Sequence, residues 1–484
     1  MLFNSYEFIF CYLPVTAALF FLLAQKGAVP ACAWLTFASL AFYGWWNPAN
    51  LPILLGSIAF NYLIGLAIFR WPTHARLALC IGVGVDLSLL AYYKYAVFLA
   101  NNLNAWLNLG LPVSAVELPL GISFFTFTQI AYLVDARQRK ARAANWLHYG
   151  LFVTYFPHLI AGPILHHGEM MPQFAKPGTY RLSYRHLALG LTVFVLGLFK
   201  KVILADGIAP LVSPVFAAAQ GADQLSFADA WGAALGYAFQ LYFDFSGYSD
   251  MAIGLSYLFG IVLPLNFYSP YRATGIIQFW RRWHMTLSRF LKEYLYIPLG
   301  GNRHGVPRRY LNLFLTMLLG GLWHGASWTF VLWGAIHGAL LALNHAWRAV
   351  RGKRSSGWAA RGLSTALTFV LVVLAWVPFR APDFTTTLKL WWLMFAGDGV
   401  HGFAVFSSHA GVPRLIGLAL IVFLLPNTQQ FVRFRTFRAD RDGQGGGGWL
   451  RWRPTPAWAA FTALLGVIAV FGLTEVSEFL YFNF

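Results

Sequence analysis

The chain has 484 residues; 58% of them are hydrophobic and only 11% carry a charge, whereas about 25% of the residues in a soluble domain are charged. Apolar stretches long enough to cross a bilayer recur along the chain, and such continuous runs predict an all-α polytopic membrane protein. The net charge of +18 does not indicate a nucleic-acid partner, because the basic residues lie in short loops between apolar stretches, as in cytoplasmic loops of membrane proteins.

The first part of the chain predicts five regular membrane spans. No Lys or Arg precedes Lys26, which argues against a secretory signal peptide. The basic loops at 70–76 and 137–142 are expected in the cytoplasm, and this places the N-terminus on the opposite side of the membrane. The five apolar runs lie at 5–25, 28–46, 51–69, 77–95 and 117–134.

The rest of the chain is less regular. Segment 148–165 is apolar but ends in Ala161-Gly162-Pro163, which predicts a broken or re-entrant helix. Segment 276–300 is only half apolar and predicts an amphipathic or re-entrant helix. In all, about a dozen spanning and re-entrant helices are expected to form one domain, 1–484. The further apolar runs lie at 186–204, 228–260, 309–322, 326–347, 363–379, 413–431 and 457–475.

Three clusters of polar residues interrupt the apolar runs, and such residues at bilayer depth indicate functional sites. The first cluster, Tyr242–Asp250, contains the carboxylates of Asp244 and Asp250. Two interpretations are open for these carboxylates. They mark a helix break and bond to the next segment, or they take part directly in catalysis or ligand binding.

The second cluster is the segment 278–288. Trp280, His284 and Ser288 follow one another at four-residue spacing, which would place them on one face of a continuous helix. Arg281 and Arg282 suit either of two roles: they bind a phosphate group, or they anchor the helix at the membrane surface.

The third cluster, Gly320–Trp328, contains Trp323, His324 and Trp328. His324 is expected to open an apolar helix after two glycines, whose small size allows close helix approach or room for a substrate. His337 and His345 follow on the same helix and are weaker candidates. No metal-binding spacing, phosphate-binding glycine loop or G-x-S-x-G elbow is present, which disfavours a serine hydrolase and an ATP-driven pump.

Taken together, these clusters resemble the membrane-bound O-acyltransferase (MBOAT) superfamily, in its bacterial branch of alginate O-acetyltransferase proteins and the related D-alanyl transfer protein of teichoic acids. The resemblance extends over nearly the whole chain. The segments that carry it are 1–8, Phe42–Trp46, Gly121–Phe127, Tyr155–Pro163, Phe243–Asp250, Trp280–His284, Leu322–Trp328 and Phe479–Phe484.

The resemblance implies a ring of tilted helices around a thinned centre. It implies that the histidine of the Trp-His-Gly motif, His324, is catalytic, and that His284 corresponds to the histidine of the family's Trp-x-x-Trp-His motif and is the second catalytic candidate. Residues of the three clusters are then the candidates for binding the substrates. They are Trp280, Trp283, Ser288, Trp323, Trp328, Asp244 and Asp250, with Arg281 and Arg282 for the donor.

The function that the resemblance implies is O-acetylation of an exported polysaccharide such as alginate or cellulose. The acetyl group would pass from a cytoplasmic thioester, acetyl-CoA, across the bacterial inner membrane. No metal or permanently bound cofactor is expected. The expected partners are membrane lipid, a periplasmic acetylesterase-like transferase of the SGNH type and a polysaccharide synthase complex. Two other functions remain open: a transporter or flippase, and a non-catalytic scaffold of an export complex.

Overall fold

The computed structural model describes residues 1–112, 116–141, 145–221, 225–352, 357–396, 411–434, 450–473 and 479–480. Within these ranges the chain folds into helices and loops, without β-strands. The helices are α1 Phe8–Ala24, α2 Ala28–Gly44, α3 Leu51–Arg70, α4 Pro72–Leu107, α5 Ile122–Arg137, α6 Trp146–Thr154, α7 Phe156–Leu159, α8 His167–Phe174, α9 Tyr184–Ala218, α10 Phe227–Leu258, α11 Ile276–Trp280, α12 Met285–Leu291, α13 Gly305–His324, α14 Trp328–Arg351, α15 Trp358–Arg380, α16 Phe384–Ala396, α17 Gly411–Leu424, α18 Thr428–Val432 and α19 Pro456–Phe471.

Several of these helices are long and apolar enough to cross a membrane. Among the described residues five qualify by length and composition, namely α3 with its preceding turn, α4, α9, α14 and α15. Four shorter apolar helices, α1, α2, α17 and α19, accompany them. The prediction of an all-α polytopic membrane protein is confirmed. Helix α4 is longer than the predicted run 77–95, because the helix continues through polar residues on both sides of that run.

The two middle segments are broken, as the sequence predicted. Helix α6 ends at Thr154 and is followed by the four-residue α7, so segment 148–165 does not cross the membrane as one helix. Segment 276–300 forms the short helices α11 and α12, and α12 continues into the π-helical turn Lys292–Tyr296. At about 1.5 Å per residue, neither α11 nor α12 with this turn exceeds about 20 Å in length. The closing segment 479–484 is described only at Phe479 and Leu480, and most of the basic loop 433–453 lies outside the described residues.

Three of the long helices contain a π-helical turn. These turns are Phe8–Tyr12 at the start of α1, Ala91–Tyr95 within α4 and Lys200–Ala205 within α9. A π-turn is rare in helices and occurs often at functional sites. Two of the three turns here carry lysine side chains that are half-buried or buried: Lys94 and Lys200 are half-buried, and Lys201 is buried.

Helix α10 lies at the centre of the molecule, with nearly all of its 32 residues buried. Of the two interpretations of the aspartate cluster, the helix break is wrong, because α10 continues without interruption through both carboxylates. Helix α9 packs along α10 and supplies a cation for each of them. Lys201 Nζ lies 2.8 Å from Asp244 Oδ1, and Lys200 Nζ lies 2.6 Å from Asp250 Oδ2. Because each carboxylate is paired with a cation, the helix buries both without a break.

Helices α13 and α14 form a hairpin with very close backbones. A Cβ atom on Gly321 would lie 2.3 Å from the carbonyl oxygen of Phe330, and one on Gly334 would lie 2.5 Å from that of Met317. The prediction that small residues permit close helix approach is confirmed for Gly321. The hairpin matters for the candidate site, because His324 is the last residue of its first helix.

Candidate active site

His284 lies in a sharp turn between α11 and α12. Its backbone is left-handed, with φ of 41°, a conformation that costs a non-glycine residue free energy and is often found at functional sites. The predicted continuous face of Trp280, His284 and Ser288 is therefore wrong. The helix is interrupted because segment 266–268 takes its backbone bonds: Tyr268 N donates to Arg282 O and Met285 N donates to Asn266 O, both at 2.9 Å.

The side chain of Asn266 fixes the imidazole of His284. Asn266 Oδ1 lies 3.0 Å from His284 Nδ1 and also accepts a hydrogen bond from the hydroxyl of Thr286. The Asn266 amide nitrogen donates to Ser249 Oγ of α10. Because Asn266 Oδ1 is an acceptor in this network, neutral His284 carries its proton on Nδ1, and Nε2 is its basic nitrogen. Nothing in the spacing of the sequence pointed to Asn266.

His324 closes helix α13, and does not open the following helix as the sequence predicted. Both glycines before it are helical: Gly321 packs against α14 and Gly320 faces Leu291 of α12. The chain leaves the helix only at Gly325. The His324 side chain is 3% exposed. Its ring contacts those of Trp323, Trp333 and Phe379, with centroid distances of 4.8, 5.0 and 5.2 Å.

Two residues of the π-turn in α4 cap the helix that ends at His324. Lys94 Nζ donates to the carbonyl oxygens of Trp323 at 2.6 Å and His324 at 3.2 Å, and Tyr95 OH donates to that of Leu322 at 2.9 Å. A cation is favourable at a helix C-terminus, where carbonyl groups lack partners within the helix. Lys94 was not among the predicted site residues, although a lysine within an apolar span indicates a functional site.

The fold brings the two candidate histidines together around one indole ring. The Trp323 ring lies 6.5 Å from that of His284 and 4.8 Å from that of His324, centroid to centroid. Trp323 also stacks on Phe127 at 5.1 Å. The two histidines are 40 residues apart (324 − 284), so the tertiary fold alone creates this arrangement. That both serve one reaction stays a prediction.

A third histidine, His337 of α14, lies beside this group. Its ring is fully buried and contacts the ring of Trp333, which it shares with His324, at a centroid distance of 4.8 Å. Trp280 Nε1 donates to His337 Nδ1 at 3.3 Å. Trp280 therefore links the second cluster to the helix that follows the third cluster. His337 had been only a weak candidate from the sequence.

A cavity of about 640 Å³ lies next to the histidines. Trp280, Arg281 and Ser288 line it, so these three predicted residues share one surface. His284 and His324 are not part of the lining, although Met285, the next residue after His284, is. The cavity wall is basic, and its charged or titratable residues are Arg281, Arg289, Lys292, Arg309 and His345 with one carboxylate, Glu293. Arg289 is already paired with the carboxylate of Glu169, with Nη2 2.9 Å from Oε2. Such a wall suits an anionic ligand.

Some predicted residues lie away from this cavity. Trp328 is 42% exposed and donates from Nε1 to Asn102. Trp283 is buried in an aromatic core beside Trp376. Asp244 and Asp250 pair with the lysines of α9, as described above. Arg282 does not belong to the cavity lining, in contrast to its neighbour Arg281.

Comparison with known proteins identifies relatives over most of the chain. Residues 82–377 match the model of MBOAT, the membrane-bound O-acyltransferase family. The chain is 46% identical to a peptidoglycan O-acetyltransferase of Helicobacter pylori over 83% of the chain and 81% of the relative. It is 38% identical to a probable alginate O-acetylase of Pseudomonas putida over the whole of both chains. A teichoic acid D-alanyltransferase of Bacillus subtilis is more distant, at 29% identity over 46% of the chain and 58% of the relative.

Proposed function

Because the chain belongs to the membrane-bound O-acyltransferase family, we propose that it transfers acetyl groups from a cytoplasmic thioester to a hydroxyl acceptor on the way to an exported polysaccharide. The observation that carries this proposal is the grouping of His284 and His324 around Trp323, next to a basic cavity. The two relatives with the highest identities quoted above are named as a peptidoglycan O-acetyltransferase and a probable alginate O-acetylase, which supports acetyl as the transferred group.

The proposed donor is acetyl-CoA, held in the 640 Å³ cavity. Its phosphate groups would face the basic wall formed by Arg281, Arg309 and His345, since guanidinium groups bind phosphate well. The basic segments that flank this wall, 303–309 and 348–351, favour the cytoplasmic side for it. The acetyl thioester would then point inward, past Trp280 and towards the histidines.

The transfer needs one group that accepts a proton and later returns it. His324 takes the proton of the acceptor hydroxyl while the hydroxyl oxygen bonds to the acetyl carbonyl carbon. The carbon–sulfur bond then breaks, and the protonated His324 gives the proton to the departing thiolate. The products are an acetyl ester and a free thiol, so the step needs no further reactant. His284, fixed by Asn266 and Thr286, orients the acceptor.

The acceptor reaches the site from the other side of the membrane. We propose that it is either the polysaccharide or a periplasmic acetylesterase-like transferase of the SGNH type, which passes the acetyl group on beside a polysaccharide synthase complex. The protein would lie in the bacterial inner membrane, in contact with lipid on its outer helices. A transporter or scaffold function would leave the buried histidine group without a chemical role.

The sidedness of the donor tests the proposed function directly. Membrane vesicles that contain the protein are given acetyl-CoA with a radioactive acetyl group, in parallel with vesicles that lack the protein. Label should accumulate in acceptor material inside inside-out vesicles and should not do so in right-side-out vesicles. Equal labelling of both vesicle types, or labelling that does not depend on the protein, contradicts the proposal.

The basic wall of the cavity predicts an effect on donor affinity. Arg309→Ala should raise the KM for acetyl-CoA about tenfold or more and leave kcat near its original value, because a charge-assisted hydrogen bond contributes about 1.5–3 kcal/mol. Steady-state kinetics at low salt measure this, and the effect should shrink as the salt concentration rises. Arg308→Ala is the matched control, since the neighbouring Arg308 is exposed and outside the cavity. Equal changes in both variants would refute a specific donor site.

A further inference from the structure

The second nitrogen of His337 is a buried hydrogen-bond donor. Indole Nε1 can only donate, so the bond from Trp280 Nε1 makes His337 Nδ1 an acceptor. Neutral His337 therefore carries its proton on Nε2, the opposite tautomer to that of His284. His337 is fully buried, and within the described part of the chain no atom accepts a hydrogen bond from this Nε2.

Two further N–H groups beside His324 share this property. Nε1 of Trp323 and Nε1 of Trp333 are buried and have no acceptor among the residues that the structure describes. Both indole rings contact the ring of His324, and Trp333 also contacts His337. Buried donors without acceptors are uncommon and costly in proteins. Donors that lack acceptors surround His324, as expected of a site prepared for a negatively charged oxygen.

The cavity reaches the face of α14 that carries two of these donors. His345 and Leu341 line the cavity, and His337 and Trp333 continue the same helical face at four-residue spacing. From His345 to His337 the helix rises about 12 Å. A thioester whose charged end lies against Arg309 and His345 would therefore extend its acyl end towards His337 and His324.

Building on the proposed function, we propose that His337 is a further catalytic residue, which donates a hydrogen bond from Nε2 to the carbonyl oxygen of the acyl thioester. When the acceptor oxygen adds to the carbonyl carbon, the carbonyl electron pair moves to this oxygen, and the N–H groups of His337 and Trp333 stabilise its negative charge. The electron pair on this oxygen then re-forms the carbonyl double bond as the carbon–sulfur bond breaks and the thiolate leaves. Trp280 is a positioning residue, because its indole N–H fixes the tautomer of His337.

Kinetics of substituted proteins test this role. His337→Phe and His337→Leu both remove the N–H donor, and their side chains differ in shape. Either variant is sufficient for the test if it inserts into the membrane normally. Loss of one oxyanion donor costs about 10²–10³-fold in rate. We expect a fall of this size in kcat with an unchanged KM for acetyl-CoA, partial recovery in His337→Asn, and a smaller fall in Trp280→Phe. His148→Phe, on the partly exposed α6, is the control for the same chemical change.

A vibrational measurement gives a readout that a merely structural role would not change. Acetyl-CoA with a ¹³C-labelled carbonyl is bound to His324→Ala, and its carbonyl stretch is compared with that in the double variant His324→Ala/His337→Leu. Removal of the donor should raise the carbonyl frequency. An unchanged carbonyl frequency overturns the role of His337 and leaves the proposed function standing. So does a wild-type kcat in His337→Leu when His324→Ala is inactive. Full activity of His324→Ala instead overturns the proposed function, and the role of His337 with it.

Discussion

Replacement of His324 by alanine is expected to lower the rate of acetyl transfer by about 10²–10⁴-fold, the usual contribution of a general base. Insertion into the membrane should be normal, because Lys94 and Tyr95 bind the backbone carbonyls at this end of α13 and not the imidazole. The acetyl content of the exported polysaccharide and the label transferred in vesicles both measure the loss. Unchanged acetyl content with normal protein levels would refute a catalytic role for His324.

The double variant of His324 and His284 distinguishes a shared site from two separate ones. Both rings contact Trp323, so His284→Ala should lower the rate as well. Because residues that act as a unit are not additive, the double variant should be little slower than His324→Ala alone. Fully multiplicative losses would instead indicate that the two histidines act independently, and only the role of His324 would then be retained.

Asp250→Asn is expected to destabilise the fold by about 3–5 kcal/mol, because it leaves the buried cation of Lys200 without its carboxylate. Asp250 Oδ2 also accepts a hydrogen bond from Thr428 Oγ1 at 2.6 Å, so α18 loses a contact to the central helix. The variant should accumulate at lower levels and melt at a lower temperature in detergent. The protein that does insert should keep a kcat near that of the wild type.

Asp206→Asn offers a matched control within the same network. Asp206 Oδ1 lies 2.7 Å from Lys201 Nζ, but its side chain is 25% exposed, and Lys201 keeps the buried carboxylate of Asp244. The same substitution should therefore cost about 1 kcal/mol or less, as is usual for partly exposed ion pairs. If Asp250→Asn accumulated fully and lost turnover, Asp250 would belong to the active site.

The sequence predicted those features that the bilayer imposes on any chain. Continuous apolar runs indicated most of the spanning helices. Ala161-Gly162-Pro163 indicated that segment 148–165 is broken, although the first helix of this segment ends earlier, at Thr154. The polar clusters indicated where the site lies, since charges at bilayer depth are costly. Which groups touch within it was not predictable, because Asn266, Lys94 and His337 reach the site only through tertiary packing.

The errors in local structure have a common physical cause. One of the two interpretations of Asp244 and Asp250 was a break in α10, but cations from α9 compensate both carboxylates. Sequence periodicity carries no information on such distant pairs. The turn at His284 was expected to be helical, but the backbone of segment 266–268 competes for its hydrogen bonds. In both cases a partner from another segment decides between alternatives that the local sequence leaves open.

The π-turn at Ala91–Tyr95 also limits how the chain can change in length. A π-turn holds one more residue than the α-helical turn it replaces, so it amounts to a one-residue insertion within α4. If the turn closed into a regular α-helix without the loss of a residue, one side of it would rotate by about 100° relative to the other. Lys94 and Tyr95 would then leave the carbonyls of residues 322–324. Insertions and deletions between Pro72 and Leu107 are therefore tolerated only where Lys94 can still bond to the carbonyl oxygens of Trp323 and His324.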